Sequence, residues 1–197
     1  MTRFEALDQL VAAGSGYLQT SVAVNSGFSK HTVAEYVKAR NMERMAHGVY
    51  ISEGTWPDPL YLLYLRNKKI VFSFETAFYL HDLADREPFY LTVTVPNGYN
   101  DTHLRQAGIR VVHTKPDWYG MGAVSIQTTC GNFVRAYDMD RTICDIIRNK
   151  KQIEIQTFQT ALQEYMRSKK KNLINLARYA SALGIADKVR TYTEVML

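Results

Sequence analysis

Seven polar and basic side chains lie between residues 30 and 47, and their types suit contact with a nucleic acid. They are Lys30, His31, Thr32, Lys38, Arg40, Arg44 and His47. Lysine and arginine neutralise phosphates, and a polar side chain near the start of a helix can reach base edges. Glu35 and Glu43 offset part of this charge. A fold used only for protein contact is the alternative interpretation of this segment.

The pattern around these residues predicts two short helices and a hairpin. An apolar helix over 20–26 is broken at Gly27, and Ser29 can cap a second helix that runs to about Arg40. The stretch 42–51 then alternates in character and turns near its glycine. A helix, a tight turn, a second helix and a hairpin are typical of a winged helix-turn-helix, whose second helix suits the major groove.

The predicted second helix has an exposed side and a buried side. We expect the exposed side to carry Thr32, Glu35 and Lys38, opposite a buried side that includes Val33 and Tyr36. One copy of such a module binds DNA weakly, so we expect dimerisation on DNA or a pair of adjacent sites.

Length, charge and cysteine usage limit the class of protein. The 197 residues suffice for one large or two small domains. The net charge is +5, and residues 141–197 carry eleven Lys or Arg against five Asp or Glu, whereas residues 1–52 carry five against four. Two cysteines without metal-ligand spacing favour a reducing cytosol. No run approaches a membrane span and no signal peptide is evident, so we expect a soluble cytoplasmic protein without membrane association.

The hydrophobic pattern predicts an α+β fold with two domains. We place the winged helix-turn-helix at 1–54, starting with an amphipathic helix over 3–13. The domain at 55–197 would combine a small sheet within 70–137 and a helical bundle over 140–197. Strands are expected at 89–95, 109–113, 124–129 and 133–137, and Val189, Tyr192 and Val195 suggest the last helix.

Residue patterns typical of enzymes are missing. The sequence contains no P-loop, no GxSxG and no HExxH. His81 and the aspartate after it suit a hydrolytic site, but a histidine satisfied at a helix end is the commoner explanation. Asp138, Asp140 and Asp145 suggest a metal, but we interpret Asp140 as a helix N-cap and Asp145 as the ion-pair partner of Arg141. We therefore predict a non-catalytic protein without metal or cofactor.

A second group of basic residues lies near the C-terminus. It comprises Arg148, Lys150, Lys151, Arg167, Lys169, Lys170, Lys171 and Arg178. Such a group is usually a solvated loop between helices, and its functional interpretation is contact with RNA, DNA or an acidic protein. Both interpretations stay open.

Four stretches together resemble the AbiEi family, the antitoxins of bacterial type IV toxin–antitoxin (abortive phage infection) systems. Residues 47–50, His-Gly-Val-Tyr, are similar to the family's Gly-x-Tyr, which a basic residue usually precedes. Residues 73–83 are similar to its serine-capped helix ending in His-x-Leu, and residues 91–96 to a strand ending in proline. Residues 140–147 are similar to its Arg-Thr-x-x-Asp helix. The resemblance covers nearly the whole chain.

This resemblance implies an antitoxin that represses its own operon by binding inverted repeats in promoter DNA through the N-terminal domain. The DNA contacts would fall on the seven residues between Lys30 and His47 named above. The C-terminal domain would counteract a nucleotidyltransferase-like toxin without a stable complex. Its candidate residues are Arg141, Asp145, Arg148, Lys150, Lys151, Lys169, Lys170 and Lys171.

Two other classes of function stay open at this stage. The C-terminal domain could be an enzyme that acts on the toxin or on RNA and is targeted by the winged helix. The chain could also be a ligand-sensing repressor without a toxin. A small molecule that binds only the native state would then raise its melting temperature.

Overall fold

The computed structural model describes residues 2–84 and 86–194, and Val195, which contributed to the prediction of the last helix, lies outside them. The described chain is mixed α/β, with helices and two separate sheets. No helix among the described residues is long and apolar enough to cross a membrane.

The chain divides into two compact units. The first comprises the described residues up to Lys68 together with Cys130–Asn132, and the second comprises Lys69–Thr129 and the described residues from Phe133 onward. This division falls later than the boundary drawn after residue 54. Helix α4 (Pro59–Arg66) belongs to the first unit, in whose core its Leu65 packs.

The first unit contains a three-stranded sheet and, besides α4, three helices. In chain order they are α1 (Arg3–Ala13), β1 (Tyr17–Gln19), α2 (Thr20–Asn25), α3 (Lys30–Ala39), β2 (Glu43–Ala46) and β3 (Val49–Ile51). The strands pair antiparallel in the order β1-β3-β2. The predicted helices and the hairpin are confirmed to within about two residues, whereas β1 was not predicted.

Local signals explain where these elements begin and turn. The Thr2 side chain accepts from the Glu5 amide and the Glu5 carboxylate accepts from the Thr2 amide, which forms a capping box at the start of α1. The predicted cap of α3 is confirmed, since Ser29 Oγ accepts from the amide of Thr32 at 3.0 Å. Gly48 turns the β2–β3 hairpin at φ +68°, a conformation that glycine adopts without strain.

The second unit is a five-stranded sheet packed with helices. Its elements are β4 (Val71–Phe72), α5 (Phe74–Leu80), β5 (Thr92–Pro96), α6 (Thr102–Gln106), β6 (Arg110–Thr114), α7 (Pro116–Tyr119), β7 (Ala123–Gln127), β8 (Phe133–Tyr137), α8 (Met139–Arg148), α9 (Ile155–Arg167), α10 (Leu173–Ala182) and α11 (Ala186–Glu194). The strand order is β6-β5-β4-β8-β7, with parallel pairs β5–β6 and β4–β8. Helix α8 packs against α5, α9, α10 and α11 and forms the centre of the core.

Two predictions for this unit were wrong in detail. The strand expected from residue 89 begins at Thr92, the first residue that pairs with β6, and Phe89 is fully exposed. The N-cap of α8 is Asp138, whose Oδ1 accepts from the Arg141 amide at 2.7 Å. Asp140 instead lies in the first turn of α8.

Candidate nucleic-acid interface

Three of the predicted contact residues lie exposed on α3. Lys30, His31 and Lys38 point to solvent. His31 Nδ1 lies 3.4 Å from a carboxylate oxygen of Glu35, and both side chains are mostly exposed. Lys30 and Lys38 make no ion pair with a carboxylate of the described residues. Both ammonium groups are therefore available to an external anion.

The prediction that Thr32 points away from the buried side was wrong. Its side chain is 9% exposed, and its Oγ1 lies 2.9 Å from Ser29 Oγ. The hydroxyl is held within the capping turn of α3 because Ser29 already accepts from the Thr32 amide. The Thr32 side chain thus belongs to the capping turn at the start of α3 and does not lie on the outer face of the helix.

Arg40 links α3 to α1. Its Nε donates to Asp8 Oδ1 at 3.0 Å, and Tyr36 donates its hydroxyl to the same oxygen at 2.6 Å. The Tyr36 hydrogen bond and the Arg40 guanidinium together lower the pKa of Asp8. Arg40 was predicted to contact phosphates, but its guanidinium is engaged in holding two helices of the first unit together.

The hairpin presents the other two predicted residues, Arg44 and His47, and both are exposed. Arg44 Nη2 lies 3.3 Å from His47 Nδ1, so the two side chains are neighbours at the turn. The register of β2 against β3 shifts between Arg44 and Ala46, and such a bulge re-aims the side chains next to it.

A cleft of about 700 Å³ in the first unit brings Lys30, Arg44 and His47 together. Its lining also includes side chains that sequence reasoning missed, namely Gln19, Thr20, Ser21, Asn25 and Arg66. No Asp or Glu is among the described residues that line it. His31 and Lys38 lie outside this lining. The missed residues had no sequence signal because the fold alone brings them beside α3 and the hairpin.

Arg141 and Asp145, the first two candidates in the second unit, form a buried ion pair, as predicted. Arg141 Nε donates to Asp145 Oδ2 at 3.0 Å, and both side chains are almost completely buried. Arg141 Nη1 also donates to the carbonyl oxygens of Trp118 and Met121, at 2.8 and 2.9 Å. The guanidinium lies 4.4 Å from the centroid of the Tyr137 ring. This network stabilises the unit and offers little surface to a partner.

Cations around α8 and α9 pack on aromatic rings. The Arg148 guanidinium lies 4.5 Å from the Trp118 ring centroid. Lys150 Nζ donates to the Tyr192 hydroxyl at 3.0 Å and lies 5.0 Å from the Phe158 ring centroid. These two predicted candidates are exposed but already have intramolecular partners.

The lysine run lies between α9 and α10. Lys171 Nζ donates to the carbonyl oxygens of Met166 and Ser168, at 2.8 and 3.2 Å. Lys169 and Lys170 are exposed, and so is Lys151 beyond the end of α8. The side chains of these three lysines are therefore accessible to a partner.

The carboxylates that suggested a metal are engaged in structural hydrogen bonds. Asp138 Oδ2 accepts from the Tyr179 hydroxyl at 2.8 Å, and its Oδ1 caps α8. Asp140 Oδ1 accepts from the Tyr165 hydroxyl at 2.8 Å and the Asn172 amide at 2.9 Å, while burial raises the pKa of its carboxyl. Within residues 2–84 and 86–194, no group of three His, Cys, Asp or Glu could hold a metal ion.

His81 is held by a backbone carbonyl. Its Nε2 donates to the Tyr137 oxygen at 2.8 Å, and burial lowers the pKa of the imidazole. This is the structural role that we favoured for it at the end of α5.

A second large cavity lies within the second unit and has a volume of about 650 Å³. Phe78, Phe89, Tyr90 and Glu75 are among its lining residues. One carboxylate oxygen of Glu75 is buried without a hydrogen-bond partner, and its other oxygen lies 3.7 Å from Arg110 Nη1.

No protein-family model matches the chain, and no curated protein matches it. Among solved structures, the chain is similar to the RV2827C protein from Mycobacterium tuberculosis, with a TM-score of 0.56 and 10% sequence identity. The similarity covers 93% of this chain and 75% of that chain. At this identity the similarity concerns the fold alone.

Proposed function

We propose that the first unit is a winged helix-turn-helix that binds duplex DNA, and that the chain is an AbiEi-like antitoxin that represses its own operon. The observation that carries the DNA-binding part is the cleft in which Lys30, Arg44 and His47 meet without a carboxylate among the described lining. The order of α2, turn, α3 and hairpin supports the same proposal.

In this proposal α3 enters the major groove and the hairpin is the wing. Lys30, His31 and Lys38 face the DNA from α3, and Arg44 and His47 contact it from the wing. Thr32 and Arg40, which the sequence predicted as DNA contacts, are not part of this interface. The Thr32 hydroxyl bonds within the capping turn of α3, and the Arg40 guanidinium bonds to Asp8 of α1. Inverted repeats in the promoter would then be bound by two copies.

The antitoxic part of the proposal rests on the resemblance to the AbiEi family. Arg141 and Asp145 would serve it only by keeping the second unit folded, since both are buried. The exposed lysines Lys151, Lys169 and Lys170 would form the surface on which neutralisation of a nucleotidyltransferase-like toxin depends.

Fluorescence anisotropy with DNA from upstream of the chain's own gene, against scrambled DNA, tests the DNA-binding proposal. We expect specific binding that weakens with salt. Each phosphate contact removed in Lys30→Ala or Arg44→Ala should reduce the slope of log K against log[salt] by about 1. Arg3→Ala is the matched control, because Arg3 is an exposed cation on α1 outside the cleft. Equal affinity for both DNAs would reject the repressor proposal.

Co-expression with the product of the neighbouring gene tests the antitoxin proposal. We expect that gene to encode a nucleotidyltransferase-like toxin, and we expect the Lys30→Ala/Arg44→Ala variant to protect cells fully. Loss of protection in a variant that still folds, as judged by circular dichroism, would contradict the division of labour between the two units.

The cavity in the second unit favours a ligand-sensing repressor as the second candidate function. In this candidate a cationic ligand pairs with Glu75 in competition with Arg110 and packs against Phe89. A panel of primary amines and guanidines should then raise the melting temperature of the wild type but not of Glu75→Gln. Unchanged melting with the whole panel would remove this candidate.

A further inference from the structure

Arg66 is a cation of the first unit that belongs neither to α3 nor to the hairpin. It lies in the last turn of α4 and is exposed. It nevertheless lines the same cleft as Lys30 and Arg44. Three non-adjacent segments of the chain therefore supply cations to one concave surface.

The neighbouring residue fixes the position of Arg66. Leu65 is 6% exposed and packs in a cluster with Tyr17, Val49 and Ile51. The end of α4 is therefore anchored on β3, which follows the hairpin turn. This packing holds the backbone of Arg66 at the wall of the cleft.

The start of α2, which also lines the cleft, is bonded to the hairpin turn. The Thr20 amide donates to the Gly48 carbonyl oxygen at 2.8 Å. A Cβ built on Gly48 would meet the Thr20 side chain at 3.5 Å, so the start of α2 lies directly against the turn. Thr20 and Ser21, at the start of α2, therefore line the same cleft as the cations.

The charge of the lining is of one sign. Lys30, Arg44 and Arg66 are the lysine and arginine residues among its described members, which include His47 and no Asp or Glu. A basic residue in the last turn of a helix ordinarily interacts with the helix dipole. Lys68 lies just beyond the end of the same helix but, unlike Arg66, does not line the cleft. Its ammonium group lies 4.5 Å from the Tyr64 ring centroid.

We propose that this cleft is a phosphodiester-binding site and that Arg66 contacts a DNA phosphate there. The inference rests on the proposed DNA binding and extends it from the recognition helix and wing to α4. Hydroxyl and guanidinium donors around one concave surface suit phosphate oxygens. An arginine that contacts only phosphates adds affinity without sequence preference.

The test is the salt dependence of DNA binding by the full chain. Arg66→Ala should lower the slope of log K against log[salt] by about 1, and it should weaken binding to promoter and scrambled DNA by the same factor. Arg66→Lys should restore most of the slope. Lys68→Ala is the matched control and should leave the slope unchanged. Circular dichroism melting checks that all variants fold.

The outcomes separate this inference from the proposed function. If the wild type binds the promoter specifically and Lys30→Ala weakens it, while Arg66→Ala binds with an unchanged slope, the Arg66 assignment is overturned and the DNA-binding proposal stands. If the wild type has no specific DNA binding, the proposed function fails, and the Arg66 assignment that rests on it fails with it. Inorganic pyrophosphate separates the sources of phosphate: an Arg66-dependent rise in melting temperature without any effect of Arg66→Ala on DNA binding would overturn the assignment to DNA.

Discussion

The Arg141–Asp145 pair gives the most quantitative prediction for the second unit. Arg141 is 1% exposed and donates to Asp145 and to two carbonyl oxygens. Arg141→Met keeps most of the side-chain volume but leaves a buried carboxylate without its cation. Removing one partner of a buried pair costs about 3–5 kcal/mol. That is a large part of the roughly 5–15 kcal/mol that stabilises a typical domain.

The pH dependence of this variant has a definite sign. Burial raises the pKa of Asp145, and the Arg141 guanidinium opposes the rise. Without Arg141 the pKa of Asp145 in the folded state rises further. A carboxyl group whose pKa is higher in the folded state than in the unfolded state contributes stability at low pH. For an aspartate this contribution is complete below the unfolded-state pKa of about 3.9 and is lost as pH rises through the folded-state pKa. The deficit of Arg141→Met should therefore be largest at neutral pH and shrink on acidification.

Urea unfolding followed by Trp118 fluorescence measures this deficit in the second unit. The chain has two tryptophans, and the exposed Trp56 of the first unit can be replaced by Phe to isolate the signal. The double variant Arg141→Met/Asp145→Leu should regain part of the loss because it removes the buried charge. Arg167→Met, at an exposed ion pair, should change stability by less than about 1 kcal/mol. A loss below about 1 kcal/mol for Arg141→Met, with an unchanged pH profile, would refute the reasoning.

Two further substitutions and one chemical modification test other features of the fold. Tyr165→Phe removes the buried hydroxyl that donates to Asp140 and should cost about 1.5–3 kcal/mol in urea unfolding, and a neutral result would show that the hydrogen bond contributes nothing. Arg40→Ala should lower the melting temperature of the first unit because it removes the hydrogen bonds to Asp8, and it should leave the salt slope of DNA binding unchanged. A reduced slope would show that Arg40 contacts a DNA phosphate after all. Cys130 is exposed, whereas burial raises the pKa of Cys144 to about 12, so Ellman's reagent should modify one thiol in the native protein and two after unfolding.

Local chemistry made most helices of the first unit predictable. Ser29 caps α3 and Gly48 turns the hairpin, and both signals act within a few residues. Strand β1 was missed because it has three residues, too few for a periodic pattern, and forms only by pairing with β3 some thirty residues later. Helix α7 has four residues and was missed for the same reason of length.

The candidate site was predictable in residue type but not in arrangement. Arg40 and Lys30 look alike in the sequence, and only the fold shows that Arg40 is engaged by Asp8, 32 positions earlier. Thr32 was misplaced because its hydroxyl bonds to the capping serine, a local preference that a simple helical-face count ignores. Arg66 gave no signal, since a cation at a helix end is ordinary until its neighbours across the cleft are known.

The regional charge count places the basic excess in residues 141–197 and left their role open, and the contacts of these side chains now bear on it. In the second unit Lys150 donates to a tyrosine hydroxyl and Lys171 donates to backbone carbonyl oxygens. Part of the basic excess is therefore engaged in contacts within this unit. In the first unit the balance is nearly even, yet Asp8 is paired with Arg40 away from the cleft lining. A bound phosphate interacts with the unpaired cations close to it, and the net charge of a whole segment of the chain matters less. The first unit is therefore the stronger candidate for DNA binding although its net charge is smaller.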